Sequence, residues 1–177
     1  MRSEEAQTLQ LAAGGEPRRG PVAPARLDDL DRRIVEALQV NGRESFRSIA
    51  SRLGVSEATV RARYARLTRE AVMQVVAVTN PLGLGYEQAL VGIKTSGPPD
   101  EIADEISHWS EADYVVVVAG QYDIVVEVVA ADRRHLLDLT NRMRALHGVV
   151  STETFLYLEM RKQLYDWGSG GRKGNAG

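Results

Sequence analysis

The sequence predicts an α+β chain of two units, and three observations predict it. Between residues 27 and 70, apolar residues recur at helical spacing in three short runs, each preceded by a capping residue. Beyond residue 86 the pattern becomes strand, helix, strand, strand, helix, strand. Charge divides along the same line. Residues 41–70 hold seven arginines against three glutamates, a net +4, whereas 71–167 hold seven basic and fourteen acidic residues, a net −7. One part is therefore suited to meet a polyanion and the other is not, although the whole chain carries only −2.

The first helix starts at Asp28, an N-cap with Asp31 in the first turn. Leu30, Ile34 and Leu38 then recur every four residues with Val35 alongside, and Asn41-Gly42 stops the run. Ser45 caps a second, shorter helix that buries Phe46, Ile49, Ala50 and Leu53. Gly54 can take the left-handed conformation that ends it. Val55 follows, and Ser56 caps a third helix carrying Val60, Tyr64 and Leu67 on one side. Three helices with only Gly-Val-Ser between the last two make a helix-turn-helix, spanning 46–65 within a domain of 27–80. The β-branched, strand-like stretch Val72 to Val78 reads as the extended segment leaving this (winged) helix-turn-helix unit, and Asn80-Pro81 with Gly83 and Gly85 breaks it.

The second domain, 81–167, opens with a strand from about Glu87 to Thr95. Pro98-Pro99-Asp100 starts a helix whose inner face is Ile102, Ile106 and Trp109. Tyr114 to Ala119 is a continuous apolar strand, Gly120-Gln121-Tyr122-Asp123 a turn, and Ile124 to Ala130 the next strand. Asp132 caps a helix burying Leu136, Leu139, Met143 and Leu146, which Gly148 ends, and Val149 to Leu158 is the last strand. That βαββαβ order is the ferredoxin-like arrangement, with helices on one face of an antiparallel sheet. The composition of residues 1–26 and of 168–177 predicts a disordered and a flexible tail.

The third helix carries the chemistry. With Val60 at the centre of its buried side, Ala58, Ala62, Ala65 and Arg69 fall opposite, flanked by Thr59 and Arg66 on one shoulder and Arg61 on the other. Small residues permit close approach to a groove about 12 Å wide, and arginines at the rim reach bases or phosphates. Ser56 and the first-turn N–H groups are placed to hold a phosphate, although Ser56 is needed as a cap in any case. Arg63 lies nearer the core edge, where a structural role is equally open. With Arg43, Arg47 and Glu57 these form the DNA-facing set: Arg43, Arg47, Ser56, Glu57, Thr59, Arg61, Ala62, Arg63 and Arg66.

Other chemistries find little support. There is no cysteine, which removes disulfides, thiolate metal sites and cysteine nucleophiles and is compatible with the cytoplasm. His108, His135 and His147 show no paired ligand spacing, and no GxSxG, Walker loop or Rossmann fingerprint is present. Gly83-Leu84-Gly85 lacks the third glycine and precedes a strand. The longest apolar run, Val115 to Ala119, is strand-sized, and the first twenty residues hold no apolar core of a signal peptide. No enzyme, cofactor, metal site or membrane partner is expected.

The segments Leu27-Asp28-Asp29-Leu30-Asp31-Arg32-Arg33-Ile34, Asn41-Gly42-Arg43, Ile49 to Ser56 and Thr59-Val60-Arg61-Ala62-Arg63 resemble the leucine-responsive/asparagine-regulator (Lrp/AsnC) family. So do Ala119-Gly120-Gln121-Tyr122-Asp123 and Gly148-Val149-Val150-Ser151-Thr152-Glu153-Thr154. The resemblance runs from about Leu27 to Leu158 and implies a sequence-specific regulator binding double-stranded DNA. It also implies a homodimer through the C-terminal sheets, assembled into tetramers or octamers, that responds to a small effector, usually an amino acid. A nucleoid-associated cytoplasmic protein follows from it. The alternative is a largely nonspecific DNA-organising protein, whose binding would fall steeply with salt and ignore sequence.

For the turn Gly120, Gln121, Tyr122 and Asp123, residue types alone suit an ordinary hairpin and a ligand-facing loop equally. The resemblance implies the latter. Backbone N–H groups at Gly120 would face a carboxylate, Asp123 an α-ammonium group, and Tyr122 would wall the pocket. Thr152 and Thr154 would add hydroxyls. In one place the chain departs from the family, which carries glycine after the third helix where this chain has Ala71. A left-handed helix end costs alanine roughly 1 kcal/mol more than glycine, so the connection is expected to leave the helix differently.

Overall fold

A computed structural model describes residues 26–163. The sequence expectations for the two tails, and for 164–167, lie outside those residues. The described chain divides into a helical unit over 26–78 and a sheet unit over 79–161.

In the helical unit, α1 spans Asp29–Val40, α2 Phe46–Leu53 and α3 Glu57–Arg69. Each begins where a side chain satisfies an orphan N–H. Asp28 and Asp31 form a reciprocal capping box, Ser45 accepts from the Ser48 N–H, and Ser56 accepts from the Thr59 N–H. Gly54 ends α2 at φ 69°, which turns the chain directly into α3. Ile34, Ala37, Leu38, Ile49, Ala50, Val60, Leu67 and Met73 form the core, with Leu30, Val35, Phe46, Leu53 and Tyr64 packed around it. Burying each of the larger aliphatic side chains contributes about 1.5–3 kcal/mol before conformational entropy is subtracted.

Two expectations about the exit from α3 are corrected. The helix does leave through a left-handed residue, Ala71 at φ 56°. The Val72 N–H bonds to the Leu67 carbonyl at 2.9 Å and the Ala71 N–H to Thr68 at 3.1 Å, the paired bonds of a Schellman ending. Those bonds, and burial of Met73 just beyond them, hold alanine in a conformation it disfavours. The stretch Val72 to Val78 is also not a paired strand. Met73 is drawn into the helical core, Val75, Val76 and Val78 are exposed, and no ladder partner for them exists among the described residues.

The sheet unit holds β1 Glu87–Thr95, α4 Asp100–Ser107, β2 Ala112–Val117, β3 Ile124–Ala130, α5 Arg133–Arg144 and β4 Val149–Leu156, after a 3₁₀ turn at Leu82–Leu84. All pairings are antiparallel and the strand order is β2-β3-β1-β4, as expected of the ferredoxin-like arrangement. β2 begins two residues earlier than its apolar run suggests and β4 stops two residues sooner. α5 ends at Arg144, capped at Ala145, and Gly148 instead takes φ 89° in the turn into β4.

Register assigns the faces. Ala89, Val91 and Ile93 stand opposite Val128, Val126 and Ile124, and these pack on Ile102, Ile106, Trp109, Leu136, Leu139 and Met143 of the helical layer. The alternate residues form an open face: Leu90, Gly92, Val125, Glu127, Val116, Tyr114, Glu153 and Phe155.

Candidate nucleic-acid interface and ligand-facing turn

Along α3, Ala58, Ala62, Ala65 and Arg69 are exposed while Val60 and Leu67 are buried, so the helix turns its alanine side outward. Arg61 is exposed, pairs with Glu57 at 2.8 Å one turn earlier and lies 5.4 Å from the Phe46 ring centroid. Arg43 and Arg47 are exposed as well. Among the described residues neither of them, nor Arg69, has an ion-pair partner, so on and beside the helix-turn-helix these three are cations not committed to a carboxylate. Ser56 serves as a cap: its Oγ accepts from the Thr59 N–H at 3.0 Å and lies 2.8 Å from the Thr59 hydroxyl.

Two of the arginines assigned to DNA from the sequence point elsewhere. Arg63 donates to Asp28 at 2.6 Å and to Asp31 at 3.1 Å, and Arg66 donates to the other Asp31 oxygen and lies 3.6 Å from Glu70. Asp31 is 1% exposed. Burial pushes its carboxyl up, but hydrogen bonds from Arg66, the Asp28 N–H and Arg63 outweigh this and hold it below the ordinary carboxylate range. Asp31 is a residue whose role sequence reasoning missed. Its local signal, the capping box, concealed a second set of partners more than thirty residues away.

In the sheet unit the turn is tied down rather than open. The Asp123 carboxylate accepts from the Thr95 N–H at 2.8 Å, Lys94 Nζ at 2.9 Å and the Thr95 hydroxyl at 3.3 Å. The Thr95 N–H, and then Lys94, hold its pKa below the ordinary carboxylate value. Tyr122 lays its ring over Gly92, donates its hydroxyl to Glu153, and meets Phe155 edge-on with centroids 6.3 Å apart. Gly120 and Gln121 are exposed.

The structure does not bring Thr152 and Thr154 to Tyr122. They pair with Ile93 and Val91 and so share the helix side of the sheet, where Thr152 accepts from Arg144 Nε at 2.8 Å. Their neighbours Glu153 and Phe155 occupy the open face beside Tyr122. The expected effector set is therefore divided between two faces, because one step along a strand reverses the side chain.

Comparison with known proteins extends this geometry. Residues 27–68 match the AsnC-type helix-turn-helix domain and residues 88–166 the Lrp/AsnC ligand binding domain. An uncharacterized HTH-type transcriptional regulator of Pyrococcus horikoshii is 34% identical over 147 residues, covering 80% of this chain and 90% of the relative. The leucine response regulatory protein LrpA of Mycobacterium tuberculosis superimposes with a TM-score of 0.70 at 33% identity, over 77% of this chain and 96% of its own. A feast or famine regulatory protein of M. tuberculosis, complexed with L-methionine, does so with a TM-score of 0.67 at 33% identity, over 77% and 95%. No helix among the described residues is long and apolar enough to cross a membrane.

Proposed function

The chain belongs to the Lrp/AsnC family of helix-turn-helix transcriptional regulators, and from that membership we propose that it reads operator DNA through α3 under the control of an amino acid bound by the sheet unit. The observation that carries the reading is the outward side of α3, where exposed alanines and Arg69 are flanked by Arg61, with Arg43 and Arg47 also exposed in the same unit. Alanines allow the helix into the major groove, and the exposed arginines supply base and phosphate contacts. A regulated binder needs no catalytic residue, and this one acts by binding, without a cofactor.

The open sheet face is the surface for a homodimer. It presents Leu90, Val116 and Val125 with exposed Tyr114 and Phe155, an apolar area of the kind that interfaces cover. A dimer then offers two α3 helices to half-sites about one DNA turn apart, or a multiple of it. Dimers assemble further to a tetramer or octamer, in the cytoplasm and on the nucleoid. An effector bound beside the Tyr122 turn shifts the placement of dimers and so the fit to the half-sites, a coupling of about 1–3 kcal/mol. The methionine complex of a relative of similar fold supports an amino acid as the class of effector.

The test is a mobility-shift titration on the DNA upstream of the gene, against random duplex of equal length, with and without each amino acid. A preference of about a thousandfold or more for the upstream DNA, altered by one amino acid, is expected. Equal binding to both duplexes at every salt concentration would identify a nonspecific DNA organiser instead.

A further inference from the structure

We infer that Asp31 is a positioning residue for DNA reading: by holding Arg63 and Arg66 it fixes the roll of α3 and keeps two cations away from the phosphate backbone. This rests on the proposal that α3 is the reader. A capping carboxylate needs one contact, which Asp31 makes by accepting from the Asp28 N–H at 3.1 Å. Its contacts with Arg63, at 3.1 Å, and with Arg66 go beyond capping and cross from α1 to α3. Asp28 adds a second contact to Arg63 at 2.6 Å from the same turn of α1.

The geometry explains why two arginines matter. Residues 63 and 66 stand about 4.5 Å apart along a helix axis, so one buried carboxylate and its neighbour grip α3 at two heights on one side. A rod held so cannot easily roll. The exposed Ala58, Ala62 and Ala65, with Arg69, lie on the far side from the core residues Val60 and Leu67. At the 5–6 Å radius of side chains, a roll of 20° moves that surface by about 2 Å. Hydrogen bonds to base edges do not survive such a shift. The apolar anchors of α3 are few, buried Val60 and Leu67 with part-buried Tyr64 against Phe46, so the ion pairs add to a modest steric hold.

The electrostatic consequence is separate. Arg63 and Arg66 are each held across to α1 by Asp28 and Asp31, whereas Arg43, Arg47 and Arg69 have no carboxylate partner and Arg61 pairs only with the exposed Glu57 one turn away on its own helix. Removing the Asp31 charge would leave Arg63 with Asp28 alone and Arg66 with Glu70 alone, at 3.6 Å, and so make both more available to a polyanion. Nonspecific affinity would then rise while selectivity falls, which a loss of stability alone cannot produce.

The experiment uses the full chain and the tightest duplex that the wild type selects from a random pool, compared with unselected duplex of equal length. Asp31→Asn keeps the capping oxygen and the volume but not the charge. Assayed below its unfolding transition, it is expected to lose about tenfold or more of the preference for the selected duplex, the scale of one lost base contact. Binding to unselected duplex should hold or tighten, with a salt slope steeper by about 0.9 for each arginine that reaches a phosphate. An unchanged preference in folded Asp31→Asn overturns the inference. Arg61→Gln runs alongside: if it too leaves the preference intact, α3 is not the reader, and the failure belongs to that reading. Should Asp31→Asn not fold, Arg63→Gln leaves Asp31 paired to Arg66. It is expected to reduce preference at an unchanged nonspecific salt slope, and either retained preference or a slope shallower by about 0.9 overturns the inference.

Discussion

The ring of Tyr122 lies against the backbone of Gly92, so closely that a β-carbon at position 92 would stand 2.6 Å from the ring. Only a residue without a side chain lets the β2–β3 turn fold down onto the open face. The Tyr122 hydroxyl then reaches Glu153 and the ring edge meets Phe155.

Gly92→Ala is therefore expected to lift Tyr122 off the sheet and to destabilise the sheet unit by about 1–3 kcal/mol, the usual range for overpacking. Thermal unfolding of Gly92→Ala, Tyr122→Ala and the double variant checks this. The double variant should be more stable than the sum of the singles allows, by at least about 0.5 kcal/mol. Additive effects would mean that the two residues do not depend on each other.

Ala71 is a second point of tension, at φ 56° in the Schellman ending of α3. Ala71→Gly removes the left-handed penalty but enlarges the freedom of the unfolded chain, so the gain should be about 0.5–1 kcal/mol. Ala71→Val should cost more than that, because a β-branched residue tolerates positive φ least. Urea unfolding of the three forms ranks them Gly, Ala, Val, and a valine variant as stable as alanine would show that the turn is not held left-handed.

The residues that were legible in the sequence act locally. Asp28, Ser45, Ser56 and Asp132 cap helices that begin just after them, and each expresses a preference written within four residues of itself. β1 and β3 were readable because their apolar runs end at turn residues. What was hidden depends on partners far along the chain. Arg66 looks like a groove residue, and Arg63, at the core edge, fits a groove or a structural role equally, until α1 brings Asp31 to them, 35 and 32 residues away in sequence. Thr152 and Thr154 alternate correctly, but which side of β4 faces outward is set by register with β1, and no local pattern states it. The strand-like Val72 to Val78 shows the same limit: β-branched residues favour extension, yet a strand also needs a neighbour.

Acid should weaken the helical unit through Asp31. Its pKa is held down in the folded chain, so the folded state binds its proton less readily than the unfolded state. The stabilisation is full above the ordinary carboxylate range and is lost as pH falls through and below it. Urea midpoints from pH 6 to pH 3, followed by far-ultraviolet circular dichroism, should show the gap between wild type and Asp31→Asn narrowing with acid. At pH 6 the gap should be about 2 kcal/mol, less than for a fully buried pair because both arginines are partly hydrated. A gap that stays constant to pH 3 would remove the ionised carboxylate from the account. Asp123, held down by the Thr95 N–H and by Lys94, should confer the same sign of pH dependence on the sheet unit.

The division of the turn and the threonines between two faces yields a test of where the effector binds. Glu153 and Tyr122 share the open face, whereas Thr152 is bonded to Arg144 on the helix side. Tyr122→Phe removes one hydroxyl and leaves the ring on Gly92, so the fold should survive with a loss of about 1 kcal/mol. Glu153→Gln keeps the size of the side chain while removing its charge. Both are expected to weaken the amino-acid effect on DNA mobility by several-fold or more, since an ammonium group bound on the open face beside the turn loses the Glu153 carboxylate or the hydroxyl that orients it. Thr154→Ala should leave the response unchanged. Were Thr154→Ala to abolish the response while Glu153→Gln preserved it, the effector would lie on the helix side, and the open face would serve assembly alone.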